Sequence, residues 1–187
     1  MDKIIHIDGK DVGFRATALT PRFYRHKIGR DMIQDLNSLR KSYAKAMSLP
    51  EDASEEQKED AQLSVIDLEI FENAAYIMAK QYDSTIPDTP EEWLDSFSTF
   101  SIYEVLPNIL ELWQFNMATT AKPKKKIKPT VREPSGAIFM LRCAEFGLSH
   151  NDLADMTIGM VYDMMIEREN DREKYNLLAT QDDFDNF

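Results

Sequence analysis

Residues 63–82, LSVIDLEIFENAAYIMAKQY, carry apolar side chains on two adjacent helical rows: Leu63, Ile66, Ile70, Ala74 and Ile77 beside Leu68, Phe71, Ala75, Met78 and Tyr82. The three- and four-residue spacing specifies a helix. A helix with so wide an apolar face must be covered on several sides. The chain therefore has to supply other elements that wrap this one, and the search for them organises the rest of the sequence.

The covering elements announce themselves in order. Residues 3–16, KIIHIDGKDVGFRA, alternate apolar and polar residues around Asp8-Gly9, a dipeptide suited to a two-residue hairpin turn. Ile5, Ile7, Val12, Phe14 and Ala16 give the hairpin one apolar face, which must lie on helices or pair with another chain because a lone hairpin is marginal in water. From Thr20, with Pro21 behind it as a helix start, Ile28, Met32, Leu36, Leu39, Tyr43 and Ala46 recur as one stripe, which predicts a single long helix. Ser54 with Gln57, Thr89 with Glu92, and Ser101 with Glu104 have capping-box spacing and predict three further helix starts. Pro107 falls inside the last of these, where it should kink the helix or shift its beginning. Ser135, Ser149 with Asp152, and Thr157 cap three more helices, and Gly147 ends the first of those. The fold class expected is mainly α: a helical body preceded by an N-terminal β-hairpin, with a small C-terminal helical unit.

Charge divides the 187 residues into three. Residues 1–121 hold 12 basic and 21 acidic side chains, and residues 135–187 hold 4 and 11. Between them, residues 122–134 concentrate Lys122, Lys124, Lys125, Lys126, Lys128 and Arg132 among Pro123, Pro129 and Pro134. Prolines stop helices and like charges keep a segment extended, so this stretch reads as a solvated linker between a body (1–121) and a small acidic helical unit with a flexible tail (135–187). The acidic field around the linker opposes binding of a nucleic-acid backbone, and no aromatics interleave the lysines to stack on bases.

Chemistry-bearing motifs are missing. His6, His26 and His150 are scattered, Cys143 is the single cysteine, and no phosphate loop or nucleophile elbow is present. No catalytic residue, metal ligand or cofactor is expected, and the chain reads as a non-enzyme. A lone cysteine suits a reducing compartment, and no secretory signal or run long enough to span a bilayer is seen. A second basic cluster, Arg15, Arg22, Arg25, His26, Lys27 and Arg30, crowds the start of the first helix, where the dipole disfavours cations unless a protein partner or an acidic face of the chain itself holds them.

Three segments, IDGKDVGFRATALTPRFYRHKIGRDMIQDL, FSIYEVLPNILELWQFN and GLSHNDLADMTIGMVYDMM, resemble the tail assembly chaperones of long-tailed bacteriophages in wording and in order. The resemblance covers most of the chain and rests on no catalytic signature. It implies a body that binds the tape measure protein and keeps that long helical client soluble. It also implies an appended unit that recruits major tail tube protein, and absence of the chaperone from the finished virion. It further implies that the lysine run is where ribosomal frameshifting joins the two parts, and a location in the cytoplasm of the bacterial host. Self-association is left open. Client-binding candidates are Phe14, Phe23, Tyr24, Trp93, Trp113 and Phe115, and tube-protein candidates are Leu153, Met156, Met160, Met164, Phe184 and Phe187. Met supplies adaptable apolar contact, although such Met and aromatic residues are more often core than contact. Competing readings are an acidic helical adaptor or regulator, and a small nucleic-acid-binding phage protein, whose binding would weaken steeply with salt.

Overall fold

The computed structural model describes residues 1–49, 65–126 and 132–171, with the side chains of residues 65 and 66 excepted. Two strands and eight helices lie among the described residues. Strands β1 (Asp2–Ile7) and β2 (Lys10–Arg15) pair antiparallel with Ile5 opposite Val12 and Lys3 opposite Phe14. Asp8 (φ 48°) and Gly9 (φ 73°) both take positive φ, the condition for the tight turn expected there. Ile7 and Phe14 are buried and Ile5 and Val12 half-buried, so the alternating face covers the helices as the pattern requires.

Those helices are α1 (Thr20–Ile28), α2 (Met32–Met47), α3 (Val65–Tyr82), α4 (Pro90–Leu94) and α5 (Ile102–Met117), followed by α6 (Gly136–Glu145), α7 (His150–Asp155) and α8 (Ile158–Asn170). The wide apolar helix, α3, is central: Phe71, Ala74, Ala75, Tyr76 and Met78 are at most 1 % exposed. It packs on β2, α1, α2, α4 and α5. Its last residue reaches the hairpin's outer face, where the Tyr82 ring covers Gly13 and the Arg15 guanidinium lies 5.6 Å from the ring centre. A Cβ at Gly13 would come within 2.1 Å of that ring, so only glycine admits this packing.

Several local expectations need correcting. Residues 20–46 are two helices. Gly29 (φ 80°) ends α1 and Asp31 caps α2 by accepting N–H bonds from Ile33 and Gln34. The stripe runs on through the break because Ile28, Met32, Leu36 and Leu39 still face one core. Thr20 is not a cap; its hydroxyl accepts from the Thr17 amide and donates to Gln81 Oε1 of α3. Ser101 occupies the N-cap position of α5, yet its hydroxyl makes no capping bond. Pro107 neither delays nor ends α5, which begins at Ile102. Pro107 is the sixth helical residue, so only one intrahelical acceptor, the Tyr103 carbonyl, loses its N–H. Thr89, Ser135, Ser149 and Thr157 do cap their helices, and Ser149 with Asp152 forms the full reciprocal box. Ser54 and Gln57 lie outside the described residues.

The turn from β2 into α1, residues 16–21, is buried throughout, and its backbone is satisfied from distant parts of the chain. Ala18 and Leu19 donate to the carbonyls of Met156 and Leu153, at 2.7 and 3.1 Å. The Thr17 carbonyl accepts from Asn116 Nδ2, and Asn116 Oδ1 accepts from the Ile158 amide that opens α8. Gln81 closes the ring by donating to the Thr17 hydroxyl at 2.6 Å. Phe139, Cys143, Leu153, Ile158 and Val161 accordingly share one core with Phe14, Leu36, Met78 and Ile109. Elements on the two sides of residues 122–134 pack together. Residues 122–126 of that stretch run exposed and non-helical beside α8, tied through Asn170, which accepts from the Lys124 amide and donates to the Lys122 carbonyl.

Asn116→Ala strands the buried Ile158 amide and leaves the Thr17 carbonyl with the Thr20 amide alone. We expect a loss of about 1–3 kcal/mol in denaturant-induced unfolding, the cost of one orphaned buried group.

Candidate protein-binding surface

Four of the client-binding candidates are core residues. Phe14 and Tyr24 are 0 % exposed, Trp93 2 % and Trp113 5 %. Trp93 is the hub of an aromatic cluster, edge-on to Phe14, Phe97 and Phe100 and tilted against Tyr76. The Tyr24 hydroxyl donates to Asp35, and burial, with that carboxylate beside it, pushes its ionisation far above the ordinary tyrosine range. Trp113 Nε1 is buried with no hydrogen-bond partner among the described residues. In this fold these four side chains brace the body from within. Phe23 and Phe115 are different, at 36 % and 51 % exposed.

The tube-protein candidates divide likewise. Leu153 is buried beneath α7 and Met156 is half-buried, while Met160 and Met164 stand out on α8 at 49 % and 38 % exposed. Phe184 and Phe187 lie outside the described residues. The start of α8 rests on the end of α5: Gly159 approaches the Ala118 carbonyl so closely that a Cβ would sit 1.7 Å from its oxygen. Phe115 precedes Asn116 and Met160 follows Gly159, so the α5–α8 junction carries an exposed aromatic and an exposed methionine on its two sides. Asp163 secures this junction by accepting from the Thr120 and Ala121 amides at 2.9 Å. Tyr103 and Leu141 are also exposed and were missed in the sequence, because each falls off its helix's apolar stripe and so resembles a solvated position.

A second feature lies between α1 and the α6–α7 corner, a cleft of about 520 Å³. Met140, Cys143, Ala144, Leu148 and Leu153 form its apolar floor, with Arg22, Arg25, His26 and His150 around it. The Phe23 ring meets His150 edge-on, 5.9 Å between centroids. Burial pushes the Cys143 thiol up to about 11. The basic cluster read from the sequence is resolved by the break at Gly29, which places Arg25, His26 and Lys27 in the last turn of α1, where the dipole favours cations. Carboxylates of the chain hold three of the cluster's arginines: Arg15 is bidentate on Asp2, Arg30 bidentate on Asp35, and Arg25 pairs with Asp31. Asp31 also accepts from the Gly136 amide, so one carboxylate caps α2, anchors Arg25 and receives the start of α6.

Among the described residues no group of three or more His, Cys, Asp or Glu could hold a metal ion, and no helix is long and apolar enough to cross a membrane. What this surface offers chemically is apolar and cationic contact. No family model, curated protein or solved structure matches the chain.

Two contrasts check the placement. Trp93→Ala should cost about 3–5 kcal/mol of unfolding free energy, and Met160→Ser within about 0.5 kcal/mol of nothing. Cys143 should resist a thiol reagent at pH 8 in the folded chain and react fully once denaturant unfolds it, since burial both hides it and disfavours the thiolate.

Proposed function

We propose that this chain is a tail assembly chaperone of a long-tailed bacteriophage, which binds the tape measure protein, keeps it soluble during assembly and brings tail tube subunits to it. One observation carries the reading. The three segments that resemble those chaperones fall on residues 7–36 (the hairpin turn, β2, α1 and the start of α2), on α5 and on α7–α8, and they meet at the buried turn through Thr17, Asn116, Leu153 and Ile158. Segments that share wording with a family are here the segments that hold one another in place.

The surface suits the task. A tape measure chain presents long apolar helical stripes, and a chaperone for it needs adaptable apolar contacts that tolerate many registers. Phe115, Met160 and Met164 supply such contacts on helices whose backbones are fixed by the core beneath. The net charge of −11 keeps copies apart and soluble while several coat one client. Tube subunits would meet the α8 side through Met160 and Met164, with Phe184 and Phe187 beyond the described residues. The four buried aromatics act indirectly, by stiffening the surface that carries these contacts.

Co-expression tests this. A tape measure protein should stay in the supernatant with the full chain and sediment without it. Phe115→Asp combined with Met160→Asp should lower the soluble client severalfold, while circular dichroism and the unfolding midpoint stay near wild type. Equal sedimentation with and without the chaperone contradicts the reading.

A further inference from the structure

Strand β1 has an unpaired edge. Met1 and Ala16 exchange both backbone bonds, at 3.1 and 2.9 Å, so they form a hydrogen-bonded pair of the antiparallel ladder. Alternation along the register makes Lys3–Phe14, Ile5–Val12 and Ile7–Lys10 pairs of the same kind. The backbone N–H and C=O groups of Asp2, Ile4 and His6 therefore point away from β2, and among the described residues none of them is bonded. On β2 the residue opposite Ile4, Gly13, lies under the Tyr82 ring. No proline interrupts β1 and its register runs without a bulge, while Lys3, its charged inner-face side chain, is taken up by Glu111 of α5. An edge left open in this way is a template for another strand.

The side chains along that edge complement themselves. Asp2, Ile4 and His6 share the hairpin's outer face, and all three are exposed, Ile4 at 62 %. A second copy of β1 laid antiparallel, with Ile4 opposite Ile4, sets each Asp2 against the other copy's His6. Every outward N–H and C=O of the three residues then finds a partner in both copies. A shift of two residues leaves Asp2 or His6 unpaired, and a shift of one sets outward groups against inward ones. Across the four strands the flanking rows read Arg15, Asp2, His6, Asp11, a basic side chain alternating with an acid, and within one hairpin these already pair as Arg15 on Asp2 and His6 on Asp11. The central row reads Tyr82, Ile4, Ile4, Tyr82 and is apolar. The net charge of −11 opposes contact between copies in general, and the alternating rows offset that repulsion where the strands meet.

We infer that two copies of this chain pair through β1, antiparallel about a twofold axis at Ile4, and form one four-stranded sheet in the order β2, β1, β1, β2. The contact is isologous, each copy offering the same strip to the other. It rests on the open edge and on the complementary rows of side chains, and holds whether or not the chaperone reading does. A dimer so built doubles every surface outside β1, so a partner with repeating sites is held at two points and more tightly than by one copy.

Sedimentation equilibrium and amide hydrogen exchange on the purified full chain test the pairing. The mass should rise with concentration from 21.6 kDa to twice that value. Over the same range the Ile4 and His6 amides should slow at least ~10-fold, because they gain acceptors only in the dimer. Ile4 is exposed, so Ile4→Lys should keep the circular dichroism of the wild type. It sets like charges opposite each other at the twofold axis and should raise the dimer Kd at least ~10-fold. Under mild oxidation Ile4→Cys should cross-link two chains, and His6→Cys, on the same face but opposite Asp2, should not. A chain of monomer mass at every concentration would overturn the inference. So would slow Ile4 and His6 amides in a chain of monomer mass, which assigns the edge to another segment of the same chain. A dimer in which these amides exchange as fast as in the monomer contradicts it too, because the copies then meet elsewhere, and cross-linking through His6→Cys in preference to Ile4→Cys contradicts the register.

Discussion

The buried turn at residues 16–21 is the constraint on which the rest of this structure depends. Backbone amides and carbonyls taken out of water must find partners, and a turn cannot satisfy itself as a helix or sheet does. Here the distant partners of the backbone come from Asn116 at the end of α5, from the Leu153 carbonyl within α7 and from the Met156 carbonyl just after it. Gln81 of α3 holds the Thr17 and Thr20 hydroxyls, and Asn116 also takes the Ile158 amide that starts α8. The requirement ties the first twenty residues to the last described helices. It explains why a chain with an obvious basic, proline-rich break in its middle still packs around one core. Each tie is individually modest, about 1 kcal/mol net, but leaving any one unmade costs more than making it contributes.

Around that turn the distribution of functions is simple. Aromatics in the interior, with Trp93 at their centre, give α3, α4 and the hairpin a rigid common support. Methionines and the one exposed phenylalanine of α5 sit on the outside, at the α5–α8 junction. A rigid frame that carries flexible apolar side chains can meet a client in many registers without reorganising its own backbone, which limits the entropy lost on binding. Asp31 illustrates the economy of the frame: one carboxylate caps α2, pairs with Arg25 and accepts the first amide of α6.

Much of the fold was legible because its signals are local. The hairpin could be read from Asp8-Gly9, α3 from its doubled apolar rows, and α6, α7 and α8 from Ser135, Ser149 and Thr157. The split at Gly29–Asp31 was written in the sequence too, but the apolar stripe continues across it and hid it. Thr20 and Ser101 failed as caps because a hydroxyl next to a helix start is a necessary condition only; at Thr20 a partner 61 residues away, Gln81, takes it. The site was much less legible. Periodicity cannot tell Trp93 from Phe115 as partner surface, since both are large, apolar and helical. Only the tertiary packing buries the first and exposes the second. The bond network of Asn116 and Asn170 has no sequence signature at all, because a buried asparagine looks like a surface one until its distant partners are known.

The coupling of the C-terminal helices to the body is measured most directly by native-state hydrogen exchange at the Ala18 and Leu19 amides, whose acceptors are Met156 and Leu153. If the turn is the common anchor, both amides exchange only through global unfolding, with the same free energy and denaturant dependence as the buried centre of α3. Exchange at Ala18 and Leu19 through a smaller opening that releases residues 136–171 while α3 stays protected would contradict the account.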